Sequence, residues 1–217
     1  MTTSAIRTAS LARRERQKAE TRQSILDAAR ELFVTDGVEA TTMRAIAAKI
    51  GYTPTAIYHH FRDKEALLEE LCVADFGALG QAMLKIGRIE DPAERLMRMG
   101  AAYTDFALEN PSQYRFMFMT VHGHPNIEEL GADRFKPDED AYGFLLATVE
   151  EGIAKGIFRA EMTDGPEIAQ MFWGSIHGVI SLWFTHCDDP NIVLRNPRET
   201  VRTMCTTLLR GALRNPT

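Results

Sequence analysis

The stretch from Thr41 to Lys64, TTMRAIAAKIGYTPTAIYHHFRDK, admits few folds. Met43, Ile46, Ala47 and Ile50 fall at i, i+3, i+4 and i+7, the apolar stripe of a short helix that begins after Thr42, a good N-cap. Gly51 ends that helix, because glycine enters backbone conformations that other residues resist. Thr53 caps the next one, and Pro54 takes its first position, where a missing N–H costs nothing. In this second helix Ile57 and Phe61 face inward with Ala56 and His60 beside them, which leaves Thr55, Tyr58 and His59 outward. An anchored helix with an outer row of hydroxyl, phenol and imidazole groups is what entry into a DNA major groove requires. It is equally the wet face of an ordinary helical hairpin, and spacing alone leaves both open.

The run GYTPTAIYHHFRDKEALL resembles the signature of the tetracycline-repressor (TetR) family. Glycine, short helix, aromatic–histidine–Phe run, lysine and leucine-rich helix occur in register, and the likeness covers about Thr21 to Leu71. It implies a dimeric transcription regulator, usually a repressor, with an N-terminal helix-turn-helix and a helical ligand-binding remainder. Family position implies phosphate contacts from Thr42, Tyr58, His59 or His60, and Lys64, while Arg44 reaches a phosphate or a guanine edge. Thr53, Pro54, Thr55 and Ala56 lead the second helix into the groove as base readers. Their small side chains favour apolar contacts to thymine methyls over bidentate pairs. His60, beside Ile57 and Phe61, also reads as a packed core histidine.

Charge is distributed to match. Residues 1–24 hold six basic and two acidic side chains, a net +4, and residues 1–65 hold eleven and eight, a net +3. With −5 for the whole chain, the remainder carries −8. A basic head on an acidic body turns one end towards phosphate. Residues 1–17 read as a flexible basic arm, not an export signal, because they have no apolar core. No apolar run is long enough for a membrane span. Cys72, Cys187 and Cys205, odd in number and far apart, fit buried thiols in a reducing cytoplasm better than a disulfide framework.

The chain reads as all-α, with about nine helices and no strand pattern. A helix from about Lys18 to Asp36, with Ile25, Ala28, Ala29, Leu32 and Phe33 at helical spacing, completes a three-helix head at 18–64. The body, 65–217, is expected to bind ligand and dimerise. Its first helix is capped by Asp63 and runs to about Ile86; Asp91-Pro92 and Asn110-Pro111 open the next two, and Val121 to Pro137 is the best loop candidate. A seventh helix runs from about Asp138 to Lys155. The eighth, Pro166 to about His186, is apolar around most of its circumference, and the ninth, Pro197 to Leu213, carries one long stripe. Both fit a homodimer built on helices eight and nine.

Aromatic and methionine side chains crowd the body and would line an adaptable apolar pocket as well as a core. The candidate ligand contacts are Met99, Tyr103, Phe106, Phe116, Met119, Trp173, Ile176 and His177. WGSIHG, Trp173 to Gly178, resembles the W-x-x-x-H-G element of one C-terminal subclass of the family; His177 there is either a polar handle or a core histidine. Catalysis has little support. His122-Gly-His124 with Glu128 or Glu129 is a weak metal pattern, and the contiguous His186-Cys187-Asp188 has side chains that diverge. No cofactor, metal or catalytic residue is expected. The resemblance and the residues together point to a repressor released from a pseudo-palindromic operator by a small, largely apolar or aromatic effector. The alternative is a helical small-molecule-binding protein without operator activity.

Overall fold

The computed structural model describes residues 2–120 and 140–214, with side chains at Thr8 and from Ser10 onward. Nine α-helices make up most of those residues: α1 Thr2–Asp36, α2 Met43–Lys49, α3 Pro54–Tyr58, α4 Lys64–Leu84, α5 Pro92–Glu109, α6 Pro111–Met119, α7 Ala141–Ala154, α8 Gly165–His186 and α9 Pro197–Ala212. The expected all-α class holds, and among the described residues the one β feature is an isolated antiparallel bridge between Phe158 and Leu213. No described helix is long and apolar enough to cross a membrane.

Two compact units form. The first contains residues 2–74 and 112–120, the second 75–111 and 140–214. The end of the helix-turn-helix suggests a boundary at 64/65; in the structure the first turns of α4 belong to the head unit. The reason is burial, since Leu67 and Leu71 are fully enclosed there together with Ile25, Ala29, Phe33, Ile46, Ala47 and Ile57. Of the expected head core, Leu32 and Ile50 are only half-buried. The buried line on α1 passes instead through Ile25, Ala29 and Phe33, spaced i, i+4, i+8, with Leu26 and Met43 closing its sides.

The first helix extends beyond its apolar spacing. Residues 2–17, read from the sequence as a basic arm, are helical and form the N-terminal half of α1. Nothing from Met1 to Asp36 is proline or glycine, and Ala, Leu, Arg, Lys, Glu and Gln are strong helix formers. From Ser10 to Glu20 the side chains are exposed, and helix propensity with the Arg16–Glu20 i,i+4 pair supports that stretch.

In the second unit α5 packs against α7, α8 and α9. The α9 stripe Val201, Cys205, Leu209 and Ala212 is buried. Gly100 permits the close approach of α5, since a Cβ at that position would lie 2.9 Å from Cys205 Sγ. Arg95, nearly buried, donates to Glu151 Oε2 at 2.6 Å and to the Ile89 carbonyl at 2.9 Å, tying α5 to α7. Within one chain α8 buries a single face, Ile168, Ala169, Phe172, Ile176 and Ile180, and leaves Met171, Trp173 and Leu182 exposed. The all-round burial expected for α8 is therefore not met inside one subunit. The loop candidate 121–137 and the histidines His122 and His124 lie outside the described residues.

Candidate functional site

The helix-turn-helix forms as its caps dictate. Thr42 Oγ1 accepts from Ala45 N at 3.1 Å and opens α2; Thr53 Oγ1 accepts from Ala56 N at 3.3 Å and opens α3. Gly51 makes the turn between them at φ +72°, a left-handed conformation that costs glycine nothing. Ile57 is fully buried and Phe61 3% exposed, so the short α3 is pinned from behind.

That anchoring leaves polar residues of both helices exposed. Thr42, Arg44, Thr53, Thr55, Tyr58 and His59 are exposed, with Tyr58 at 53%, while Pro54 and Ala56 are half-buried. His60 differs from its neighbours. Its ring is half-buried, Nδ1 is closed off from solvent without a hydrogen-bond partner, and its pKa is lowered by burial and then by Arg22, Lys18 and His59. Burial and the neighbouring cations favour its uncharged form, in keeping with a packed imidazole. Lys64 donates from Nζ to the Val38 carbonyl at 2.8 Å, fastening the start of α4 to the chain between α1 and α2. Two donors of its ammonium remain for other partners.

Sequence reasoning missed Tyr52, Arg22 and Glu70. Tyr52 is 44% exposed in the turn that leads into α3. Arg22 lies in the head and bonds Glu70 and the His60 carbonyl. No local pattern marks such a pairing, because Arg22 and Glu70 stand 48 residues apart.

Of the eight candidate ligand contacts, six lie in the second unit and two in the first. Met99, Tyr103, Phe106 and Ile176 are buried in the second unit. His177 is half-buried, with Tyr103 Oη 3.1 Å from Nδ1 and Ser181 Oγ 3.2 Å from Nε2. Both partners are hydroxyls that donate or accept, and burial lowers the His177 pKa, so a neutral ring is satisfied on both sides. Trp173 lies 6.2 Å from His177 between ring centroids and meets Tyr142 edge-on at 6.0 Å, yet remains 38% exposed. Phe116 and Met119 belong to the head unit, where Phe116 stacks on Phe33 at 6.0 Å; the spread of aromatics along the sequence did not separate the two units. A groove of about 650 Å³ runs between α5 and α9 past Met97, Thr104, Val201 and Cys205, and none of the eight lines it. Among the described residues no three His, Cys, Asp or Glu side chains gather as a metal site.

Residues 25–71 match the family of bacterial regulatory proteins named for tetR, and residues 96–208 match the tetracyclin repressor-like C-terminal domain. The chain belongs to the tetR family. Members are helix-turn-helix DNA-binding transcriptional regulators, not enzymes. The first match spans the whole helix-turn-helix and the second more than half of the chain. Similar curated proteins include the uncharacterised regulator YobS of Bacillus subtilis, 29% identical over 102 residues, 47% of this chain and 53% of that protein. AcrR of Shigella flexneri is 42% identical over 76 residues, 35% of each chain. The chain thus aligns with about half or less of these relatives' length. Among solved structures, the tetR-family regulator PfmR of Thermus thermophilus is similar with a TM-score of 0.68 at 26% identity, covering 88% of this chain and 96% of that one.

Proposed function

We propose that this tetR-family chain is a cytoplasmic, homodimeric repressor that leaves a pseudo-palindromic operator when a small, largely apolar or aromatic molecule binds its body. The observation that carries the reading is the division of α3: Ile57 fully buried, Thr55, Tyr58 and His59 exposed on the opposite side. Thr53, Pro54, Thr55 and Ala56 lead into the major groove; Thr42, Arg44, Tyr58, His59 and Lys64 contact the backbone or, for Arg44, a guanine edge. Two copies present their α3 helices to successive grooves about 34–36 Å apart or somewhat wider.

The exposed side of α8 supports pairing with a second copy. Met171, Gly174, Gly178 and Leu182 share one face, and Thr203, Thr207 and Gly211 are exposed on α9. A Cβ added at Gly174, Gly178 or Gly211 would meet nothing within 4 Å, so close helix approach is available there. The effector is assigned to the neighbourhood of Met99, Tyr103, Phe106, Trp173, Ile176 and His177, with the W-x-x-x-H-G element supplying the indole and the imidazole. Displacement of α4 is the route to release. The effector achieves this only by favouring the released geometry over the bound one.

Fluorescence anisotropy on the DNA upstream of the chain's own coding sequence tests the reading. Nanomolar binding with a steep fall of log K against log[salt] is expected. Binding no tighter than to unrelated duplex DNA would overturn it.

A further inference from the structure

The α3 helix has only five residues, far too few to hold a pose by its own hydrogen bonds. Ile57, its one buried residue, and Phe61 just past its end pin it from behind. One further side chain adds a restraint at the C-terminal end. Arg22, on α1, donates from Nη1 to the His60 carbonyl at 2.7 Å, just past the end of α3. Its Nε donates to Glu70 Oε1 on α4 at 2.7 Å, and Nη2 donates to Glu70 Oε2. The guanidinium face lies 4.1 Å from the centroid of the Phe61 ring. Three elements thus converge on one planar group.

We propose that Arg22 is a positioning residue for operator recognition: oriented by Glu70, it sets the pose of α3 through the His60 carbonyl, and so makes that pose follow α4. This rests on the operator-binding reading and adds to it the means by which α4 governs the recognition helix. The fork geometry is essential. Lysine keeps the charge but lacks the planar array that binds a carboxylate bidentately, reaches a carbonyl and stacks on a ring at once. Arg22 itself needs no contact with DNA.

Two measurements on the full-length chain test this. In the first, wild type selects a duplex from a random-sequence pool, and Arg22→Lys and Glu70→Gln are titrated against that duplex and a scrambled one. Each variant is expected to lose at least tenfold in affinity for the selected duplex and less than twofold for the scrambled one, with the salt slope unchanged. The double variant should lose no more than the larger single loss, because both break one linkage. Equal losses on both duplexes with a shallower salt slope would make Arg22 a phosphate contact and overturn the proposal; unchanged affinity for both would overturn it too. The second measurement needs no DNA. Amide exchange at residues 57–61 should speed up at least tenfold in Arg22→Lys, with α5 unchanged; unaltered exchange there overturns the proposal. If wild type selects no duplex, the operator reading fails, while exchange still decides whether Arg22 positions α3.

Discussion

Glu151 shows how a single residue reports the integrity of the body. Hydrogen bonds from Arg95 and then Lys155 hold its carboxyl well below the usual range, at about 2. The ionised form therefore contributes stability that is fully present above the unfolded value near 4.5 and is lost as pH falls through about 2. Glu151 is about a third exposed, so solvent screening limits its worth to on the order of 1 kcal/mol. Chemical denaturation between pH 2 and 6 should show wild type losing stability towards acid, with a flatter profile for Glu151→Gln. Parallel profiles would separate the ion pair from stability. The polar side chains most open to reading from sequence were those that act locally: Thr42, Thr53 and Asp63 all accept from the backbone N–H three residues on. Asn110 did not follow the pattern. Its side chain donates back to the Phe106 carbonyl and closes α5, where the sequence suggests an opening cap for α6.

At the scale of elements, the helix order was legible because caps, prolines and apolar periods are short-range signals. Pro92, Pro111 and Pro197 each stand at a helix start. What escaped was set over long distances, as with Phe116 against Phe33 and Arg22 with Glu70. Two substitutions probe how the elements meet. Thr53→Ala removes the α3 cap and should cost about 1 kcal/mol in thermal unfolding, with operator affinity falling further than stability. Gly100→Ala places a methyl against Cys205 Sγ and should destabilise by about 1–3 kcal/mol. Adding Cys205→Ala should recover part of that loss; strict additivity would show that the helix contact is not the cause.

For the whole molecule, the face of α8 that one chain leaves open is the strongest sign of assembly. Leu182, 53% exposed, lies on it. Leu182→Glu should shift sedimentation velocity from dimer to monomer and weaken binding to a palindromic duplex far more than to a half-site. A variant that stays dimeric would move the interface elsewhere. Dimerisation was suggested in the sequence by apolar residues all around α8, a pattern that a lone subunit does not use.

The central claim is that DNA meets the chain at the outer face of α3. Hydrogen–deuterium exchange with and without a selected duplex tests it most directly. Protection confined to residues 42–45 and 52–60, absent from α5 and α9, is the predicted result. DNA-bound protein in which those segments exchange as fast as in the free chain would contradict it.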